Sequence, residues 1–194
     1  NHLKDTTKFN RPHRIPSLSY SHPKYKANGR YWLGGVWPGT NYMVISGLVE
    51  KGYRRLAWDI ALNHYQNVFK VFQKTNTLWE YYAPEDAAPG FMARRDFVGW
   101  TGLPPIAILI EYIFGIRANA ADNKLTIDVN LTDGYGISRY PFGQDGLMDI
   151  KVAKRTSQNE KPKVTIKTNK PVEVQLMWGE KEQTTKVKSG TTTL

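Results

Sequence analysis

The feature that most constrains this chain is a change of hydrophobic period at Gly115. Ahead of it, apolar residues recur at spacings of three and four; behind it, they alternate with polar ones. Between Pro38 and Gly52, the spacing of Tyr42, Val44, Ile45, Leu48 and Val49 predicts an amphipathic helix that Gly52 stops. From Arg54 to Gln73, Leu56, Ala57, Ile60, Ala61, Val68, Phe69 and Phe72 are expected on one face of a longer, antiparallel helix, making an αα-hairpin. Residues 75–100 lose the period and gain Pro84, Pro89, Gly90 and Gly99, which marks a long irregular loop; such loops often carry function. A third helix is expected from Leu103 to Gly115, with Pro104 and Pro105 in its first turn. It is apolar nearly all round, so burial is expected, and it is too short to span a bilayer. The runs KLTIDVNL, LMDIKVAK, KVTIKTN and VEVQLMW then read as strands of successive antiparallel hairpins. The fold class is therefore α+β, with helices followed by a small antiparallel β-sandwich and a boundary near residues 116–123.

Residues 1–28 have neither period and read as an extended arm that packs on something. His2, His13 and His22 lie in it eleven and nine residues apart; this matches no compact metal motif, and surface histidines are expected. Single ionisable residues on the helices (Asp59, His64, Glu111) are expected to be solvated or salt-bridged, and Glu85 with Asp86 to form an exposed acidic turn.

The net charge of +10 raises the question of nucleic acid, and its distribution answers it. Residues 1–30 carry seven Lys/Arg against one Asp, residues 31–116 seven of each, and residues 117–194 thirteen against nine. The aromatic region is electrically neutral, whereas a nucleic-acid channel interleaves aromatics with basic residues, so no nucleic-acid partner is expected. With no Cys there is no disulfide framework or thiolate site, and no apolar run approaches a membrane span. The compartment stays open, the periplasm or export being slightly favoured.

Three stretches can carry chemistry. GRYWLGGVWPGTN, residues 29–41, packs three large aromatics and four glycines just before a helix, and flat rings with nearby polar groups suit the C–H faces and hydroxyls of a sugar. The same stretch would also serve as a helix-packing loop. NTLWEYYA, residues 76–83, sets Glu80 among Trp79, Tyr81 and Tyr82, where partial burial would suit a general base and tyrosine hydroxyls could orient it. The plainer alternative pairs Glu80 with Arg94 or Arg95. DFVGWTG, residues 96–102, precedes the third helix, and Thr101 is expected to cap it.

In this order, YWLGGVWPGTNY, a helix hairpin, WEYYAPE, DFVGWTG and a buried helix, the chain resembles the C-terminal third of the (α/α)6-barrel glycosidases. The relatives are the trehalase, processing α-glucosidase and mannosylglycerate or glucosylglycerate hydrolase families. The resemblance covers roughly residues 29–116. It implies that 29–116 is the C-terminal portion of a catalytic barrel and 117–194 a β-sandwich-like domain behind it. It further implies an inverting hydrolase of an α-linked glucoside or mannoside, with Glu80 as general base and no cofactor. Tyr31, Trp32 and Trp37 would line the sugar subsite, with Asn41 a polar neighbour and Trp100 at its border. Leu33 stands where Arg is common and Tyr81 where Asn is common. An inverting enzyme needs a second carboxyl group about 6.5–9.5 Å from the first. In these families it comes from an earlier part of the barrel, so the missing barrel portion or another copy of the chain is an expected partner. The rival reading is a carbohydrate-binding or structural lobe without chemistry.

Overall fold

The computed structural model describes residues 2–194, which fall into two compact units divided between Leu109 and Ile110. The first unit contains helices α1 (Pro38–Glu50) and α2 (Arg54–Thr75), packed on each other across the turn at residues 51–53. Pro38 opens α1, where its fixed φ fits and no N–H is needed. Gly52, at φ +79°, closes the helix by donating to the Val49 carbonyl. Asn76, also left-handed, ends α2 by donating to Phe72. The hairpin is thus the predicted one. The buried stripe of α2 is Leu56, Ala57, Ile60, Ala61, Val68 and Val71, together with His64 and Asn67. Phe69 and Phe72, expected on that stripe, are exposed, because at 100° per residue Phe69 falls on the opposite face and Phe72 on the flank, while Val71 falls near the centre.

A third helix, α3 (Pro104–Ile113), is wound wide, the Ile108 N–H reaching back five residues to the Leu103 carbonyl. The division between the units falls within it. Ile108, Tyr112 and Ile113 are buried, but Ile106 is 63% exposed, so the expectation of burial all round is corrected. None of the helices among the described residues is long and apolar enough to cross a membrane.

The arm is fastened down rather than loose. Arg11 grips Glu85 with two parallel bonds, Nε to Oε1 at 2.8 Å and Nη2 to Oε2 at 2.6 Å, and the Tyr25 hydroxyl donates to Oε1 at 2.6 Å. Arg11 holds the Glu85 carboxyl below its usual range. The exposed acidic turn expected there is therefore corrected for Glu85: two arm residues converge on it. Farther along, Asn63 and Asn67 of α2 donate to the Pro12 carbonyl, and Asn63 accepts the Arg14 N–H at 2.9 Å. Between these bonds His13 enters the core and its Nε2 lies 2.9 Å from Nδ1 of His64, both rings fully buried. The surface position expected for His13 and the solvated one expected for His64 are both overturned. An imidazole is apolar enough to bury when neutral and matched to a partner. Asp59, by contrast, makes the expected surface ion pair, with Arg55 at 3.4 Å.

The second unit has eight strands: β1 (Ile116–Asn119), β2 (Lys124–Asp128), β3 (Tyr135–Pro141), β4 (Leu147–Val152), β5 (Val164–Thr168), β6 (Val172–Trp178), β7 (Lys181–Val187) and β8 (Gly190–Thr193). They form two sheets, ordered β1-β2-β6-β7 and β3-β4-β5-β8. Strict alternation along β6 buries Val172, Val174, Leu176 and Trp178, which meet Met148, Ile150, Val164 and Ile166 of the other sheet in one core. This is the α+β arrangement of helices followed by a β-sandwich. One detail departs from successive hairpins: β2 pairs with β6 in parallel, because the chain crosses to the other sheet after β2 and returns four strands later. Arg155 is buried with its guanidinium on the carbonyls of Val129, Leu131, Gln158 and Glu160, which satisfies the charge with backbone dipoles.

The histidine pair generates a pH prediction. Burial, followed by the charge of His64, holds His13 well below the ordinary imidazole value, and burial lowers His64 to about 4. An unfolded imidazole takes up a proton below about pH 6.5, while folded His64 resists it until near pH 4 and His13 is likewise held neutral well below the ordinary range. The pair's contribution is therefore complete above that range and lost as pH falls through it. Thermal unfolding of the chain followed from pH 7.5 to 4 is expected to show Tm falling across this window, with His64→Gln flattening the curve. Parallel curves for the two proteins would rule the histidines out as the cause.

Candidate functional site

The site is built from two loops that a short backbone ladder brings side by side. Val36, just before α1, exchanges both hydrogen bonds with Tyr82, in the loop after α2, at 2.9 and 3.0 Å. Ser17 of the arm donates to Gly35 on one side, and Gly90 donates to Tyr81 on the other. Side chains on these segments are consequently held against one another although they lie some fifty residues apart in sequence.

The result is a continuous aromatic wall. Trp37 is sandwiched between Trp32, 4.3 Å away at 15°, and Tyr81, 4.4 Å away at 26°. Tyr31 meets all three rings edge-on at 5.1–5.9 Å, and Trp100 meets Trp37 at 5.7 Å. Phe97 extends the wall from Trp100 at 5.2 Å. Tyr31, Trp32 and Trp100 are 53%, 47% and 41% exposed, whereas Trp37 is 2% exposed. Trp37 is therefore the spine of the wall, with both faces covered; the rings free to meet a ligand are Tyr31, Trp32 and Trp100. Asn41 is not at the wall's surface either. It is fully buried, accepts the Ile15 N–H at 2.8 Å and donates to the carbonyls of Ile15 and Trp37 at 3.1 Å each, so its amide holds the arm to the start of α1.

Glu80 sits half-buried next to Tyr81 in the chain. Its backbone is held on both sides: the N–H donates to the Arg94 carbonyl at 2.9 Å, and its carbonyl accepts the Trp100 indole N–H at 2.8 Å. Its carboxylate makes no hydrogen bond or ion pair among the described residues. Arg94 meets Glu80 through the backbone, and the Arg95 guanidinium lies 3.7 Å from Asp96 instead, so the ion-pair alternative is not what the fold builds. The tyrosines do not orient the carboxylate. The Tyr81 hydroxyl donates to the Phe91 carbonyl at 2.8 Å, and that of Tyr82 accepts the Trp79 N–H. Burial, followed by the negative charge of Glu80, pushes the Tyr81 phenol above its ordinary value, which places the carboxylate within electrostatic reach of that ring.

Thr101 does not spend its hydroxyl on a helix cap: it is fully buried and donates to the Trp79 carbonyl at 2.9 Å. Asp96 accepts the Thr77 hydroxyl at 2.6 Å, tying the two ends of the loop together. Tyr31, Met92 and Asp96 take left-handed φ values of 51°, 62° and 55°. Each costs on the order of 1 kcal/mol for a residue with a side chain. Sequence reasoning missed Tyr81 as a member of the stack and Gly90 as its neighbour. The signal for Gly90 was only a Pro-Gly turn, which says nothing of a ring lying against it.

That ring makes Gly90 a sharp test of the wall. A Cβ at residue 90 would lie 2.3 Å from Cδ2 and 2.5 Å from Cε2 of Tyr81, so the ring must move. Gly90→Ala is expected to destabilise the chain by about 1–3 kcal/mol, typical of overpacking. It should also change the near-ultraviolet circular dichroism of the tryptophan stack. An unchanged spectrum and Tm would mean that Tyr81 is not locked there.

Residues 1–101 match the mannosylglycerate hydrolase MGH1-like glycoside hydrolase domain. An uncharacterized protein of Borreliella burgdorferi is 24% identical over 147 residues, 70% of this chain and 31% of that protein. A probable mannosyl-oligosaccharide glucosidase of Schizosaccharomyces pombe is 27% identical over 52% of the chain and 14% of its own length. Mannosylglycerate hydrolase MGH1 of Selaginella moellendorffii is 34% identical over 50% of the chain and 18% of its own. The chain thus spans less than a third of the length of each of these relatives. The family match takes in the arm, both helices of the hairpin, the aromatic wall and Glu80, and the chain belongs to the MGH1-like glycoside hydrolase domain family.

Proposed function

We propose that this chain supplies the general base and part of the sugar subsite of an inverting glycoside hydrolase acting on an α-linked glucoside or mannoside. The observation that carries the reading is the carboxylate of Glu80, half-buried beside an aromatic wall and without a partner among the described residues. Carboxylates in such surroundings are ordinarily paired, and one left unpaired next to a ring surface suits proton abstraction from a bound water. Trp32, Tyr31 and Trp100 offer their exposed surfaces to the C–H faces of a sugar, while Trp37 holds them from behind. The names of the similar glucosidase and mannosylglycerate hydrolase favour these two sugars.

Inversion requires a second carboxyl group to protonate the leaving oxygen, about 6.5–9.5 Å from the base. In this reading it comes from the remainder of an (α/α)6 barrel, of which residues 29–116 form the last part. An apolar groove of about 280 Å³ supports a covering partner: Tyr65, Phe69, Phe72 and Leu78 line it with Pro104 and Pro105. Rings of this size left in water are costly, and neighbouring barrel helices or another copy of the chain would bury them.

In the enzyme that contains this chain, Glu80→Gln keeps the shape and removes the proton acceptor. It is expected to lower kcat on the order of 10²- to 10⁴-fold. Proton NMR of the first-formed sugar should show the inverted anomer. Trp32→Ala is expected to raise KM, since stacking is similar in ground and transition states. Trp37→Ala should act through stability, because neither of its faces is open. Retained configuration, or a Glu80→Gln enzyme as fast as the parent, would favour a lobe that grips sugar without chemistry.

A further inference from the structure

We infer that Trp100 and Thr101 are positioning residues for Glu80, holding two consecutive backbone carbonyls so that a carboxylate with no bonds of its own among the described residues stays aimed. The inference rests on the assignment of Glu80 as the base. The carboxylate of Glu80 has no partner among the described residues, so its direction is set by where its Cα lies and how its peptide planes are turned. Three bonds fix those planes. The Thr101 hydroxyl donates to the Trp79 carbonyl at 2.9 Å, and the Trp100 indole donates to the Glu80 carbonyl at 2.8 Å. The Glu80 N–H donates to Arg94 at 2.9 Å.

The two side-chain donors differ in exposure. Thr101 is fully buried, where its hydroxyl must find a partner, and the Trp79 carbonyl is the one the fold provides. Trp100 keeps its ring partly exposed at the wall while its N–H points back at the Glu80 backbone. One residue therefore joins the ligand-facing surface to the base, so a sugar that presses on the indole bears on the bond that holds Glu80.

The arrangement separates positioning from support of the fold in general. A donor that acts only through Glu80 has no effect once Glu80 cannot accept a proton. The test is carried out on the enzyme that contains this chain, with an aryl α-glucoside or α-mannoside as substrate. Thr101→Val keeps the shape and removes the donor. It is expected to lower kcat about ten- to a hundredfold with KM within about twofold, as for a small misplacement of a reacting group. Thr101→Ser should restore the rate, and Thr101→Val should cost nothing further in a Glu80→Gln background. Equal losses in the two backgrounds, or no rescue by Ser, would overturn the inference. If Thr101→Val does not fold, Trp100→Phe removes the other donor while keeping a ring at the wall; because Trp100 also faces the ligand, only its loss of kcat, not a change of KM, is read in the same cycle. A neutral Thr101→Val beside an inactive Glu80→Gln sinks the clamp alone. A fully active Glu80→Gln sinks the assignment of the base and the clamp with it.

Discussion

The sandwiching of Trp37 between Trp32 and Tyr81 is the interaction on which the candidate site depends. Stacked and edge-on aromatic pairs contribute about 0.5–1.5 kcal/mol each beyond the area they bury. That is enough to hold two loops which have little regular structure of their own. The close approach is possible because residues 35 and 90 lack a Cβ: one at residue 35 would lie 2.4 Å from the Tyr31 carbonyl, and one at residue 90 would overlap the Tyr81 ring. The left-handed turns at Tyr31, Met92 and Asp96 are tolerated for the same reason, since the wall and its ladder over-determine the path of the chain.

The arm contributes by locking the other side of these loops. Arg11 and Tyr25 converge on Glu85, His13 meets His64, and Asn41 reaches back to Ile15. All three contacts join segments remote in sequence, and two of them are buried. Loops fastened in this way can hold the backbone of Glu80 on both sides while its carboxylate has no partner among the described residues.

Much of the architecture was legible because it rests on local periodicity. The spacing of apolar residues and Gly52 define the hairpin, and strict alternation identifies VEVQLMW as a core strand. The strands Ile116–Asn119, Tyr135–Pro141, Lys181–Val187 and Gly190–Thr193 were missed. Their exposed faces are polar and their alternation weak, so pairing with neighbours decides them. The aromatic stretches before α1 and after α2 were also legible as places where chemistry could sit.

By itself, then, the sequence determined the helix hairpin, the switch to strands at Gly115 and the company that Glu80 keeps, since each is written in residues adjacent or nearly adjacent along the chain. Only the tertiary structure decided that Trp37 is a spine rather than a platform, that Asn41 serves the backbone, that His13 is buried and that, among the described residues, Glu85 is paired while Glu80 is not. Burial and pairing depend on what arrives from elsewhere in the chain. Neither a ring nor a carboxylate carries in its own neighbours any record of which distant group will cover it.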